Sequence, residues 1–459
     1  MKRFRLREIK LSPVQIIPAS FFLAIAAGTV LLLLPASSAK GCSTDFITAL
    51  FTATTSVCVT GLVVVDTYAH WSPFGQCVIL LLIQAGGLGM IAVAASIMLV
   101  ARRKFSLTDR ILLRDAFNLN SHSRLLSFLM KVLKGTFLAE GIGALLYAAA
   151  FIPVFGAGKG LWCSVFNAVS AFCNAGMDVL GPNSLCDYRD DPLVMSVTIV
   201  LIILGGLGFV VWFDVIDRAK EGARNRFAPG TVLRRLSEHT KLVLSITVIL
   251  LLGGTAAFLL LEYSNPGTIG AMDLGGKLKN CFFESVTLRT AGFTTFPQEN
   301  LTKASCLVAY VFMFIGGSPI GTAGGIKTVT FFLLIMNVRS YLRRQDEYVI
   351  FQRRVSEESM RKASAVVFVS AMAVILLAVL LSVVNPGPLE DALYEVVSAC
   401  GTVGLSRGLT PSLNLPGRVT IIIAMYLGRI GPISLAALFS GNSRASDRIR
   451  YSEGTFYVG

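Results

Sequence analysis

The chain has 459 residues, of which 54% are hydrophobic and 15% charged, with a formal net charge of +14 and a mean hydropathy of +0.69. Ordinary globular proteins carry ~25% charged residues, and several apolar runs here reach the ~20 residues needed to cross a bilayer, so the composition describes a polytopic membrane protein. Disordered, collagen-like and disulfide-framework chains are excluded, and no Walker loop, HExxH helix or zinc-type Cys/His spacing occurs.

The first ten residues, MKRFRLREIK, are basic, and the apolar run from Val14 to Leu34 is too long for a cleavable signal and long enough to span. Seven more long apolar segments follow, at 74–100, 125–152, 192–216, 242–261, 304–336, 363–384 and 417–439. Between the members of each consecutive pair lies a shorter semi-polar segment, at 44–56, 160–172, 278–289 and 389–400. These four suit helices too short to span, and re-entrant segments are expected. His70, His122 and His239 are scattered, which argues against a His-based metal site, and nine cysteines show no paired spacing. Only Cys42 and Cys186 fall in polar loops, where a disulfide between them stays open.

Charge sets the orientation. Of 41 Lys and Arg, 30 lie on the side that carries both termini and nine on the opposite side, Arg289 among the nine. Both termini are therefore expected in the cytoplasm, with the semi-polar segments dipping in from outside. The basic balance reads as topology and contact with membrane lipids, with no role for nucleic acid. The basic loops 102–124, 218–241 and 339–362 are candidate docking faces as well as topology determinants.

An internal repeat organises the rest. The strings FTATTSVCVTGL, FNAVSAFCNAGM, FESVTLRTAGF and YEVVSACGTVGL end at Gly61, Gly176, Gly292 and Gly404, spaced by 115, 116 and 112 residues. A second glycine motif follows each: Gly86-Gly87-Leu88-Gly89, Gly205-Gly206-Leu207-Gly208, Gly316-Gly317-Ser318 and Gly428-Arg429-Ile430-Gly431. The expected fold is all-α and polytopic, with four pseudo-symmetric M1–pore helix–M2 repeats, eight transmembrane helices and one central ion pore. Repeats are expected at 13–104, 105–218, 219–340 and 341–440, flanked by a basic N-terminus (1–12) and a C-terminal tail (441–459).

Four such units around one axis suit a potassium filter, in which backbone carbonyls replace the ion's water shell and glycine supplies the backbone angles. The candidate K+-binding segments are Val59-Thr60-Gly61, Asn174-Ala175-Gly176, Thr290-Ala291-Gly292 and Thr402-Val403-Gly404. Close helix packing is the alternative use of such glycines.

The strings TSVCVTGLVVVDT, TLRTAGF and SACGTVGLSRGLTP, with FIGGSPIGTAGGIKT in the third repeat and YLGRIGP in the fourth, resemble the Trk/Ktr/HKT superfamily of potassium transporters, closest to its KtrB type. The resemblance runs from Val14 to the end of the chain. It implies a K+-translocating subunit in the bacterial cell membrane, a homodimer with one pore per subunit, and a cytoplasmic nucleotide-binding ring of RCK type (KtrA-like). Nucleotide would then act only through that partner, and Na+ activation stays open. The first repeat begins almost at once, as in the KtrB type, and Gly61 keeps the potassium-type pattern. Repeat two departs from it at Asn174-Ala175, which suggests a looser filter.

The gate is expected in repeat three. Residues 304–336 would make a helix of ~50 Å at ~1.5 Å per residue, against a hydrocarbon core of ~30 Å. Its centre holds Gly316, Gly317, Ser318, Pro319, Gly321, Thr322, Gly324, Gly325 and Lys327, a composition that breaks helices. An intramembrane loop at 316–328 lying below the filter is expected, and a kinked helix is the alternative; the resemblance places a gating loop here too. Arg429 fills the slot held by Gly87 and Gly206, and a charge at this depth reads as functional. A structural ion pair with Glu140 is the other reading. Glu284 and Glu395, early in their short helices, either attract cations or bond neighbouring backbone. Parallel repeats favour a channel-like mechanism over a coupled secondary transporter. No Arg-periodic helix suggests a voltage sensor, and no catalytic constellation suggests an enzyme.

Overall fold

The computed structural model describes residues 13–89, 125–344 and 347–431. Expectations for the N-terminal 1–12, the loop 102–124, the tail 441–459 and the inner ends of segments 74–100 and 417–439 lie outside the described residues. What is described is built from helices, with one small hairpin pairing Val349–Ile350 and Arg353–Arg354.

Each quarter repeats one plan. A first helix is followed by a short buried helix, a glycine turn and a second helix. The first helices are α1 (Pro13–Leu33), α4 (Leu125–Phe155), α8 (Glu238–Glu262) and α12 (Glu357–Val384). The short helices are α2 (Phe46–Cys58), α5 (Ala157–Cys173), α9 (Leu274–Thr287) and α13 (Leu389–Gly401). At 13 residues, α2 and α13 reach only ~20 Å by the ~1.5 Å rise, too short to span. Their aromatics Phe51, Phe166, Phe283 and Tyr394 are all fully buried, so these helices form the centre of the molecule while the first helices present apolar side chains outward.

The second helices are α3 (Pro73–Leu88), α6 (Pro192–Leu207), α10 (Lys303–Phe314) and α14 (Leu415–Ile430), with α7 (Phe209–Asn225) and α11 (Thr328–Leu342) as continuations in repeats two and three. Each begins at a side-chain cap: Ser72 on Gly75, Asp191 on Val194, Thr302 on Ser305, Asn414 on Gly417. Such caps satisfy amide groups that the first turn leaves free.

Here the structure refines the reading of eight spans. Among the described residues, four helices are long and apolar enough to cross a membrane, or five if α6 and α7 count as one. These four are the first helices. The second ones stop at glycines with positive φ, Gly89 at 87°, Gly208 at 86° and Gly431 at 85°, and α6 meets α7 at a bend of 100°. The segment 304–336 is not one helix but two, separated by Ile315–Lys327.

Small residues hold the layers together. A Cβ on Gly86 would strike Val57 O, one on Gly205 Phe172 O, and one on Gly428 Cys400 O. In each case the second helix rests on the last carbonyls of its own short helix, an approach that only glycine permits. Gly428→Val is expected to cost ~1–3 kcal/mol through overpacking. Gly141→Ala, where nothing lies within 4 Å of the added methyl, should gain up to ~1 kcal/mol of helix propensity. Thermal unfolding of the detergent-solubilised chain should show the valine variant melting several degrees lower and the alanine variant unchanged or higher.

Candidate functional site

A left-handed residue follows each short helix, directly at its end in repeats one, two and four and three residues past it in repeat three, and a positive-φ glycine comes two positions on. The φ values are 54° and 100° for Val59 and Gly61, 58° and 65° for Asn174 and Gly176, 68° and 82° for Thr290 and Gly292, and 51° and 93° for Thr402 and Gly404. Left-handed geometry is costly for Val59 and Thr402, and specific hydrogen bonds hold it. Thr60 N, Ala175 N and Val403 N donate to Thr55, Ser170 and Ser398 carbonyls at 2.8–2.9 Å, the Schellman pattern. The hydroxyls of the same residues then accept from Gly61 N, Met177 N and Gly404 N at 3.0–3.1 Å. In repeat three Thr287 Oγ1 donates to Phe293 O at 2.7 Å. These hydroxyl residues are missing from the sequence-level site, although a Ser or Thr six residues before the glycine recurs in three repeats.

The four turns close into a ring. A Cβ on Gly61 would lie 2.5 Å from Ala175 O, one on Gly176 2.6 Å from Ala291 O, and one on Gly292 2.5 Å from Val403 O. One on Gly404 would strike Thr60 O, closer still. Every glycine thus faces the carbonyl just before the glycine of the next repeat, and the fourth returns to the first. All twelve residues of the four tripeptides except the glycines Gly176 and Gly404 are buried, and the Oγ1 atoms of Thr60, Thr290 and Thr402 and Nδ2 of Asn174 have no hydrogen-bond partner in the protein.

Directly against this ring lies the broken segment of repeat three. Ser318 N donates to Gly206 O (2.9 Å), Thr322 N to Gly205 O (3.1 Å), and Phe209 N to Ile320 O (3.0 Å), so the loop lies along the bend between α6 and α7. Gly316 N to Ile326 O (2.9 Å) and Thr328 N to Gly317 O (3.1 Å) close the loop on itself. Backbone freed at this depth is thereby satisfied within the protein. Glycine is required where the loop touches the ring, because a Cβ on Gly324 would collide with Thr402 Oγ1. Ile320 holds a φ of 61°, an outlying angle for a β-branched residue. A cavity of about 390 Å³ borders the loop, lined among others by Gly324, Lys327, Gly401 and Arg429. Lys327 Nζ donates to Ala323 O within the loop (2.7 Å).

Arg429 reaches across. Its Nη1 donates to Thr322 O (2.6 Å) and its Nη2 to Gly86 O (2.5 Å). The ion pair with Glu140 is not made: Glu140 accepts from Gln84 Nε2 (3.2 Å) and lies 3.9 Å from Cys173 Sγ. Carbonyls replace the carboxylate as partners. Arg289 also departs from its expected place among outer charges. It sits in the last turn before Thr290, at the register of Cys58, Cys173 and Gly401, only 6% exposed. Glu284 and Glu395 are fully buried and braced inward: Glu284 accepts from Gln298 (3.2 Å), and Glu395 from Thr410 (2.6 Å) and Ser406. Gln298 accepts in turn from Tyr394 OH (2.9 Å), tying repeat three to repeat four. These carboxyls hold the stretches after Gly292 and Gly404, and neither faces solvent.

Four short buried helices, a ring of glycine turns and a broken helix packed against them are the frame of a polytopic, all-α membrane protein. The profile of the cation transport protein family, TrkH, matches residues 11–448. The chain is 38% identical to the potassium/sodium uptake protein NtpJ of Enterococcus hirae over 463 residues, covering all of this chain and 99% of that protein. It is 37% identical to the Ktr system potassium uptake protein B of Bacillus subtilis, over 99% of this chain and 98% of that one. A crystal structure of the potassium transporter TrkH from Vibrio parahaemolyticus superposes with a TM-score of 0.74 at 16% identity, over 95% of this chain and 86% of that one, which establishes a shared fold. The chain belongs to the TrkH family of cation transport proteins.

Ser398 offers a direct test of the turn. Ser398→Ala leaves the Gly404 amide without its hydroxyl partner, at a cost of ~1–3 kcal/mol for a buried donor, whereas Ser398→Thr keeps the bond. Thermal midpoints of the purified protein should fall for alanine and stay near wild type for threonine.

Proposed function

We propose that this protein carries K+ into the cell as the ion-translocating subunit of a Ktr-type system. The observation that carries the reading is the closed ring in which each glycine abuts the carbonyl preceding the next. In this reading the carbonyls of Val59-Thr60-Gly61, Asn174-Ala175-Gly176, Thr290-Ala291-Gly292 and Thr402-Val403-Gly404 replace the hydration shell of K+. The C-terminal ends of the four short helices, with their partial negative charge, favour a cation there. The nearly full-length sequence match to proteins named for potassium uptake supports the choice of ion.

Loop 316–328 serves as the gate beneath the filter, with Lys327 and Arg429 beside it. A fixed charge ~6 Å from a permeating cation repels it by ~3 kcal/mol at an effective dielectric of ~20, so Arg429 adds a barrier to the closed loop. The protein acts as a homodimer in the bacterial cell membrane, with both termini cytoplasmic and a nucleotide-binding RCK-type ring docked on the cytoplasmic side. The word "system" in the names of its relatives supports a multi-component assembly. A sodium-coupled carrier, or activation by Na+, is the second reading, favoured by the name potassium/sodium uptake protein of the Enterococcus hirae relative.

Flux of 86Rb+ and 22Na+ into proteoliposomes separates these assignments. Gly404→Ser should lower K+ preference over Na+ at least several-fold, because serine at positive φ misaims the backbone beside it. Equal discrimination in a folded variant would remove the filter assignment. Deletion of 317–325 should raise flux with ion preference intact; a fall in flux at normal protein level would remove the gate. Arg429→Ala should raise the maximal rate several-fold, and Arg429→Lys, which keeps the charge, should stay nearer wild type.

A further inference from the structure

Thr322 stands at the meeting point of three repeats. Its N–H donates to Gly205 O of α6 (3.1 Å), its hydroxyl to Phe172 O of α5 (3.0 Å), and its carbonyl accepts from Arg429 of α14 (2.6 Å). The same hydroxyl lies 3.4 Å from Asn174 Oδ1, at the start of the repeat-two glycine turn. The side chain is fully buried. Phe172 O is the next-to-last carbonyl of a short helix whose end carries partial negative charge. The corresponding carbonyls in repeats one and four, Val57 O and Cys400 O, receive no side-chain hydrogen bond from the loop among the described residues. Repeat two is also the quarter whose turn begins with an amide, where the others have Val59, Thr290 and Thr402.

We propose that Thr322 couples the intramembrane loop to the repeat-two filter segment, so that loop position and cation affinity at the inner filter are one equilibrium. With the loop seated, the Thr322 proton occupies the Phe172 carbonyl and crowds the Asn174 amide. Both oxygens are then less available to the field that a cation meets at the inner end of the ring. When the loop leaves, that partial negative charge is exposed, and a cation binds the ring more tightly. Reciprocity follows: a cation that binds the released state better also favours release, so the transported ion acts as a ligand of its own gate. Asn174 is then a positioning residue for the loop as well as part of the ring. The proposal rests on the filter and gate reading above.

The test uses the full-length chain in proteoliposomes, with 86Rb+ flux measured against K+ concentration. Thr322→Val keeps the shape and loses the proton; it should raise flux 3- to 10-fold and lower the half-saturating K+ concentration 2- to 3-fold. Thr322→Ser should restore wild-type values. Asn174→Ala should also raise flux, and adding Thr322→Val to it should raise flux little further. Should valine disturb assembly, as judged by size-exclusion chromatography, Thr322→Ala gives the same comparison with a smaller side chain. Unchanged flux, a rise in flux with unchanged half-saturation, or additive effects of the two substitutions would each overturn the coupling. In those cases an open pore in the 317–325 deletion would leave the gate standing. A deletion that itself lowers flux would bring down the gate reading and this proposal together.

Discussion

A membrane interior offers no water to backbone amides, and that constraint shapes the four glycine turns and the broken segment of repeat three. The four glycine turns bend out of helical geometry at the buried centre, and each recovers its hydrogen bonds locally. The Schellman bonds of Thr60, Ala175 and Val403, and the hydroxyls of Thr55, Ser170 and Ser398, do this work one turn upstream. The result is a set of turns whose inner carbonyls face the neighbouring repeat because nothing within their own repeat claims them.

The same constraint explains why repeat three can break its helix without unfolding. Loop 315–327 finds its partners on Gly205, Gly206 and Phe209, at the one place where the second helix of repeat two has opened at Gly208. The bend in one repeat therefore serves as the seat for the break in the next. Ile320 holds its left-handed angle there at a cost of ~1–3 kcal/mol for such strain, offset by the bond its carbonyl takes from Phe209. Arg429 closes the structure from the opposite side. It bonds loop and first repeat through carbonyls, its planar guanidinium donating to two acceptors on different segments from two separate nitrogens.

Much of this was legible from residue types alone. Glycine is the cheap solution at positive φ, so the four-fold glycine register marks the ring, and the excess of glycine and proline between 316 and 325 marks the break. What stayed hidden has a common cause. Backbone carbonyls have no letter in a sequence, so residue types point to Glu140 as a conceivable partner of Arg429 but do not single out the Thr322 and Gly86 carbonyls that it bonds. Arg289 was counted with the outer charges because hydropathy registers a charge and not its depth. The bend at Gly208 was concealed inside an apolar run that reads as one span. Glu284 and Glu395 were visible as acids, but the side chains that brace them, Gln298 and Thr410, lie 14 and 15 residues away across a turn.

The ring is built from four stretches of one polypeptide, and that changes what variation can do to it. In a pore assembled from identical chains, any substitution is imposed four times over, so an arginine at one filter-helix end would be an arginine at all of them. Here Asn174, Arg289 and Arg429 each occur in a single quarter, and their counterparts remain small or neutral. A charge too costly to carry in quadruplicate can be kept as one copy. Each quarter can therefore differ from the other three on its own: one bends at Gly208, one breaks between Ile315 and Lys327, and one supplies Arg429.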